Sequence, residues 1–181
     1  MSIKLLKKVA NNISKNFRWF RTGEKKLDTT NAFTKILKSG KHNDSEYIKQ
    51  IYNEFAPTYT DECLKWGYNV PQQCFEFIKS SKYCDKLKRK MNIIDIGCSS
   101  GLQGRVLYNY YPEIYNKCNL IYGIDFAPQA LQIASNENVY TDLMEQNINN
   151  VPYRNLRTNM FDVLLCNAVL TYINSNNMEN V

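Results

Sequence analysis

The sequence predicts an α/β fold, a Rossmann-like parallel sheet of about four strands preceded by N-terminal helices, and three features predict it. A short apolar run, Met91–Ile96, breaks at Gly97 into a turn of small residues that ends at Gly101. Leu102 to Tyr111 can then continue as a helix, so strand, glycine turn and helix follow one another directly. Beyond that unit, strand-like and helix-like stretches alternate as far as Asn167, which implies parallel strands joined by right-handed crossovers.

Each element has a local justification. Residues 1–23 form a basic amphipathic segment, with Ile3, Leu6, Ala10, Ile13, Phe17 and Phe20 at helical spacing. Residues 24–45 are polar and read as a linker, and residues 46–181 as the folded domain. Asp44 or Ser45 can cap a first helix whose apolar face is Tyr47, Ile48, Ile51, Tyr52 and Phe55. Pro57 should end it, because a residue before proline is disfavoured in the α region. A second helix is expected from Pro71 to about Lys90, with Cys74, Phe75, Phe77, Ile78 and Leu87 inward. After β-strand Met91–Ile96, the helix from Gly101 should stop at Pro112. A second strand is expected over Leu120–Asp125 and a helix after Pro128, a residue suited to a first helical turn. A short third strand near Val139–Ile148 and a fourth over Phe161–Asn167 complete the series.

Composition excludes several classes. With 181 residues and 44% hydrophobic content the chain is globular and long enough for a real core. No apolar run approaches the ~20 residues of a membrane span. The six cysteines form no C-x-x-C pair, which favours free thiols in a reducing, cytoplasmic setting over disulfides or a metal site. The single histidine, His42, sits in the polar stretch without partner ligands in sequence. The net charge of +6 comes from residues 1–23, which hold Lys4, Lys7, Lys8, Lys15, Arg18 and Arg21 and no acid. The remainder is neutral, which argues against a nucleic-acid-binding core. The basic segment fits three roles: a mitochondrial-type targeting segment that meets import machinery, a helix lying on a membrane surface or a partner, and a helix packed on the domain.

The candidate chemistry lies at the strand ends. Asp95, two residues before Gly97, would repel a pyrophosphate on the following helix N-terminus. Gly97, Gly101 and Gly104 also depart from G-x-G-x-x-G spacing, which weighs against a nicotinamide-dependent oxidoreductase. An acid there suits a ligand that is cationic and rich in hydroxyls, as S-adenosyl-L-methionine is. Asp125, ending the second strand, can accept hydrogen bonds from a ribose diol, or can serve as a turn aspartate. Asn147 offers an amide that can read an adenine amine, or is an ordinary turn residue of an Asn-rich stretch. Tyr59 and Tyr68 can cover a bound ligand or pack in the core, and Asn167 can position a substrate or cap a helix.

Asp95-x-Gly97-Cys98-x-x-Gly101, Gly123-Ile124-Asp125-Phe126-Ala127-Pro128 and Phe161-Asp162-Val163-Leu164-Leu165-Cys166 resemble motifs I, II and IV of class I S-adenosylmethionine-dependent methyltransferases. Tyr52-Asn53-Glu54-Phe55-Ala56-Pro57-x-Tyr59 with Tyr68, and Val169-Leu170-Thr171-Tyr172-Ile173, resemble the Williams–Beuren syndrome chromosomal region methyltransferase-like group. The resemblance implies methyl transfer from S-adenosyl-L-methionine to a small-molecule or protein acceptor. It implies a cofactor site drawn from Asp95, Gly97, Cys98, Gly101, Asp125 and Phe126, with Asn147, Tyr59 and Tyr68, and it implies no metal. Two departures stand out. Ser99 replaces a glycine usual in the family loop, and the chain ends short of the family's seven strands. The second departure makes a C-terminally truncated, inactive binding module the alternative expectation, with the fourth strand as an open edge.

Overall fold

The structure is a computed structural model that describes residues 32–41, 43–82, 85, 89–150, 153, 156–157 and 159–169. The basic segment 1–23, His42, Leu87 and residues 170–181 lie outside the described residues. The described chain runs α1 (Ala32–Ser39), α2 (Ser45–Lys65), α3 (Val70–Ser80), β1 (Met91–Ile96), α4 (Leu102–Tyr110), α5 (Pro112–Tyr115), β2 (Cys118–Asp125), α6 (Pro128–Asn136), β3 (Asp142–Glu145) and β4 (Val163–Cys166).

The four strands form one sheet in the order β3-β2-β1-β4, and every pairing is parallel. The Rossmann-like expectation is met. β1 is the inner strand that faces both directions of winding: Ile96 lies opposite Ile124 of β2 on one side and Cys166 of β4 on the other. Its alternation divides the core. Met91 and Ile93 join Phe75, Ile78, Val106 and Leu107 on the face covered by α3 and α4. Ile94 and Ile96 join Tyr122, Ile124 and Ile148 on the other face. A strand buried on both faces has no polar alternation, which is why the apolar run is legible. The entry to β4 is pinned to β1 by Asp162, which accepts from the Asn92 N–H at 2.9 Å and from both terminal nitrogens of Arg89. The Asn92 bond, ahead of the Arg89 contact, holds the Asp162 carboxyl below the usual carboxylate range.

Four local expectations are corrected. The stretch 24–45 is not linker throughout, because α1 forms within it and buries Ala32 and Ile36 against Ile48 and Ile51 of α2. Asp44 caps α2 as expected, accepting from the Tyr47 N–H at 3.0 Å, but Pro57 does not end the helix, which continues to Lys65. A proline inside a helix costs roughly 3 kcal/mol. Burial on both sides of it offsets that cost, with Ile48 and Ile51 before the proline and Cys63 after it in the core. Ala56 itself packs against Ala127 and Ala130. α3 stops at Ser80, short of Lys90, and Phe77 faces outward while Phe75 and Ile78 are buried. Pro112 does end α4 but also opens the short helix α5, since proline at N1 needs no N–H partner.

The close approach of α2 to α6 depends on three alanines, Ala56, Ala127 and Ala130, none more than 2% exposed. Ala56→Leu should overpack this seam and lower stability by roughly 1–3 kcal/mol. Urea titration should show a lower midpoint with an unchanged slope.

Candidate functional site

The turns that follow all four strands converge on one cleft. Ile96 and Gly97 leave β1, Ile124, Asp125 and Phe126 leave β2, Gln146 to Asn149 follow β3, and Asn167 to Val169 follow β4. In open parallel sheets the crevice lies where the winding reverses, outside the carboxyl ends of the strands. Here that reversal is at β1, which has β2 on one flank and β4 on the other. Helix α2 lies along the cleft, contributing Ser45, Ile48, Tyr52 and Tyr59 to its wall. It is tied there by Lys49, which pairs with Glu145 at the end of β3 at 2.7 Å, and by Asn53, which accepts from the Gln129 N–H at 3.1 Å.

The glycine turn is held by β2. The N–H groups of Gly97 and Cys98 both donate to the Ile124 carbonyl, at 2.7 and 3.0 Å. Gly97 has φ +73, and a Cβ built on it would lie 2.0 Å from a methyl of Val169, so only glycine fits this contact. Ser99, where the family usually has glycine, takes the left-handed conformation at φ 47 and lines the cleft. Its neighbour Ser100 is buried and hydrogen-bonded to Thr60 of α2, with the hydroxyl oxygens 2.7 Å apart.

Asp125 joins the two turns. One carboxylate oxygen accepts from the Ser99 N–H and the other from the Ala127 N–H, both at 2.9 Å. Burial raises its pKa, and the bonds from Ala127, Ser99 and Phe126 oppose that rise. Both sequence readings of Asp125 therefore meet in one group. It is a turn aspartate that lines the cleft, and its backbone bonds leave the carboxylate further acceptor capacity. Asn147 also reaches the cleft, with its Oδ1 accepting from the Asn149 N–H at 2.9 Å and its Nδ2 remaining as donor.

Other predicted residues lie behind this surface. Asp95 shares the pleat side of Met91 and Ile93, is 3% exposed, and does not line the cleft. Its Oδ2 accepts from the Tyr140 hydroxyl at 2.7 Å, and that hydroxyl accepts from the Gly104 N–H at 3.1 Å. Tyr140 fills the space left by glycines: a Cβ on Gly104 would meet its ring at 2.8 Å, and one on Gly123 at 3.0 Å. Sequence reasoning missed Tyr140, because the glycines that make room for it, Gly104 in α4 and Gly123 in β2, meet it only in space. Cys98 is buried, and Gly101 packs against Ala134 of α6 at an ideal-Cβ distance of 3.2 Å. Tyr68 packs into the core on the α3 side, where burial raises its phenol, and Tyr59 stands on the cleft wall edge-on to Tyr52. Phe126 lines the cleft and packs with both small apolar clusters around α2. No disulfide joins the described cysteines, and no metal-binding group of side chains occurs among the described residues.

Burial raises the Asp95 carboxyl to about 7, helped by the nearby Asp125 charge and opposed by the Tyr140 bond. The folded chain therefore keeps this proton to a higher pH than the unfolded chain. Its stabilising contribution is complete below about pH 4 and is lost as pH rises through about 7. Asp95→Asn removes this titration. The stability difference between variant and parent, from denaturant titrations, should shift in favour of the variant from about pH 4 to pH 7 and then level off.

Comparison with known proteins agrees with the strand-turn-helix reading. No curated protein matches the sequence. Among solved structures, the magnesium protoporphyrin IX methyltransferase of Synechocystis PCC 6803 with bound SAH is 15% identical, at a TM-score of 0.37, over 54% of this chain and 42% of that one. The same enzyme with bound SAM is 13% identical, at a TM-score of 0.41, over 83% of this chain and 67% of that one. In the first of these matches the chain thus spans about two fifths of the solved protein's length. The family described as Methyltransferase domain matches residues 87–180, more than half of the sequence and the whole of the described sheet. The chain belongs to the methyltransferase-domain family.

Proposed function

We propose that the cleft binds S-adenosyl-L-methionine and that the chain transfers its methyl group to a small-molecule or protein acceptor. The observation that carries this reading is the convergence of all four strand ends on a cleft bearing the Asp125 carboxylate beside the Gly97 turn. The chemistry of the lining fits the cofactor. Asp125 has lone pairs for a ribose diol, the Asn147 amide offers a donor toward a purine, and Ile48, Ile124 and Ile148 supply apolar walls for a planar base. When bound, the cofactor supplies a methyl group on a sulfonium that is already a good leaving group.

The protein's own task is then alignment and exclusion of water. α2 covers one side of the cleft and holds its place through Lys49 and Asn53. Apart from Asp125, the polar side chains lining the cleft among the described residues are hydroxyls and amides. That favours an acceptor whose attacking atom already has a free lone pair, since among the described lining residues the carboxylate is Asp125, whose oxygens are held by backbone N–H groups. The finer placement in the Williams–Beuren-like group rests on the Tyr52–Tyr59 segment, both ends of which stand on the cleft wall.

Calorimetric titration with S-adenosylhomocysteine, with NADH as control, tests the reading. The first should bind and the second should not. Asp125→Asn, which keeps one oxygen for the backbone, should weaken binding by about tenfold or more, the value of a lost charge-assisted hydrogen bond of roughly 1.5–3 kcal/mol. A folded chain that ignores S-adenosylhomocysteine, or that prefers NADH, overturns it.

A further inference from the structure

Helix α2 is one helix in two halves. Pro57 has no N–H to give the Asn53 carbonyl, so the helical ladder is interrupted between the halves. The half after Pro57 belongs to the core. Cys63 is buried in the same cluster as Phe75 and Met91, and Tyr59 packs against that cluster. The Thr60 hydroxyl meets the hydroxyl of buried Ser100 at 2.7 Å. The half before Pro57 belongs with α1. Ile48 and Ile51 form a separate apolar cluster with Ala32 and Ile36, to which the α/β body adds Phe126 among the described residues.

The earlier half is held to the body by polar contacts and by one close seam. The seam, Ala56 against Ala127 and Ala130, lies directly beside Pro57, where a pivot would be. The Asn53 side chain accepts from the Gln129 N–H at 3.1 Å. Farthest out, Lys49 reaches Glu145 at the end of β3 at 2.7 Å, seven residues and about 10 Å of helix ahead of Ala56. The two side chains are 30% and 50% exposed, and an ion pair so placed is a weak tie that salt screens.

The cleft needs a wall that moves. It holds about 70 Å³ of free space, less than half of the ~150 Å³ of an apolar cavity that takes a benzene ring. A nucleoside is larger still. The Gly97 and Asp125 turns are bound to each other by backbone bonds, so they cannot part without breaking them. Ser45, Ile48 and Tyr52 line the cleft from the earlier half of α2, which has no such bonds to the sheet among the described residues.

We propose that α1 and the Ser45–Ala56 half of α2 form a lid that swings about Pro57 to admit a ligand to the cleft, with Lys49–Glu145 as its latch. The identity of the ligand rests on the reading of the cleft as an S-adenosyl-L-methionine site; the hinge does not. A latch that closes over the empty and the filled cleft alike slows entry and exit by the same factor and leaves the affinity alone. Salt, by screening the pair, should speed both.

Stopped-flow mixing with S-adenosylhomocysteine tests this on the parent, Lys49→Glu, the swapped pair Lys49→Glu with Glu145→Lys, and Pro57→Ala. In Lys49→Glu, association and dissociation should both quicken at least threefold, with Kd within twofold of the parent. The swapped pair should return both rates to within twofold. Raising NaCl from 0.05 to 1 M should speed the parent and the swapped pair but not Lys49→Glu. Pro57→Ala, which returns the missing N–H, should slow both rates at least twofold. Unchanged rates in Lys49→Glu or in Pro57→Ala overturn the proposal. So does a change confined to dissociation, which marks a side chain that grips the ligand, and so does a swapped pair that fails to restore the rates. A parent that does not bind S-adenosylhomocysteine overturns the cofactor reading alone, and hydrogen exchange then decides the lid. Faster exchange over residues 45–55 in Lys49→Glu, restored in the swapped pair and with 59–65 unchanged, upholds it; exchange raised along all of α2, or nowhere, overturns it.

Discussion

A parallel sheet opens a crevice where its winding reverses, and in this chain the reversal is at β1. β1 pairs with β2 on one flank and β4 on the other, so the turns leaving those strands diverge around its carboxyl end. Everything that defines the cleft follows from this. The Gly97 turn stays low because its N–H groups are bound to the Ile124 carbonyl. Asp125 then clamps that turn to its own through the Ser99 and Ala127 N–H groups. The shape of the site is thus a property of the backbone, and the side chains decide what it can hold.

Two carboxylates lie within this small volume, and their surroundings divide their work. Asp125 stands on the wall of the cleft, where burial raises its carboxyl and the bonds from the Ala127, Ser99 and Phe126 N–H groups oppose that rise. Asp95 lies beneath the turn in a nearly dry setting, where burial favours its protonated form and the Tyr140 hydroxyl is its hydrogen-bond donor. The second acid is therefore part of the scaffold. Through Tyr140 it ties the end of β1 to the start of α4 at Gly104. Such networks specify geometry when every member is satisfied. The hydrogen-bonded chain of Cys74, Asn167 and Gln103 is the contrasting case, satisfied among the described residues except at the Gln103 amide nitrogen.

The fold was largely legible because its signals are local. The β1 run, the Gly97 break, the Asp125 position and the proline that opens α6 are each decided within a few residues. They placed the strand ends to within two residues, except for the third strand, which is three residues shorter at each end because only Asp142–Glu145 pair with β2. Pro57 shows where local reasoning fails. Its cost is local, but the burial that outweighs it comes from α1 and α6.

The sequence by itself determined the class of fold, the family and the strand ends where a ligand would sit, since periodicity, glycine turns and acidic strand ends are short-range patterns. Only the tertiary structure decided which side chains meet there. Tyr140 and Asp95 are 45 residues apart, and Asn167 and Gln103 are 64 apart. A hydrogen bond needs contact within about 3 Å, and contact over such separations exists only once the sheet has brought the elements together.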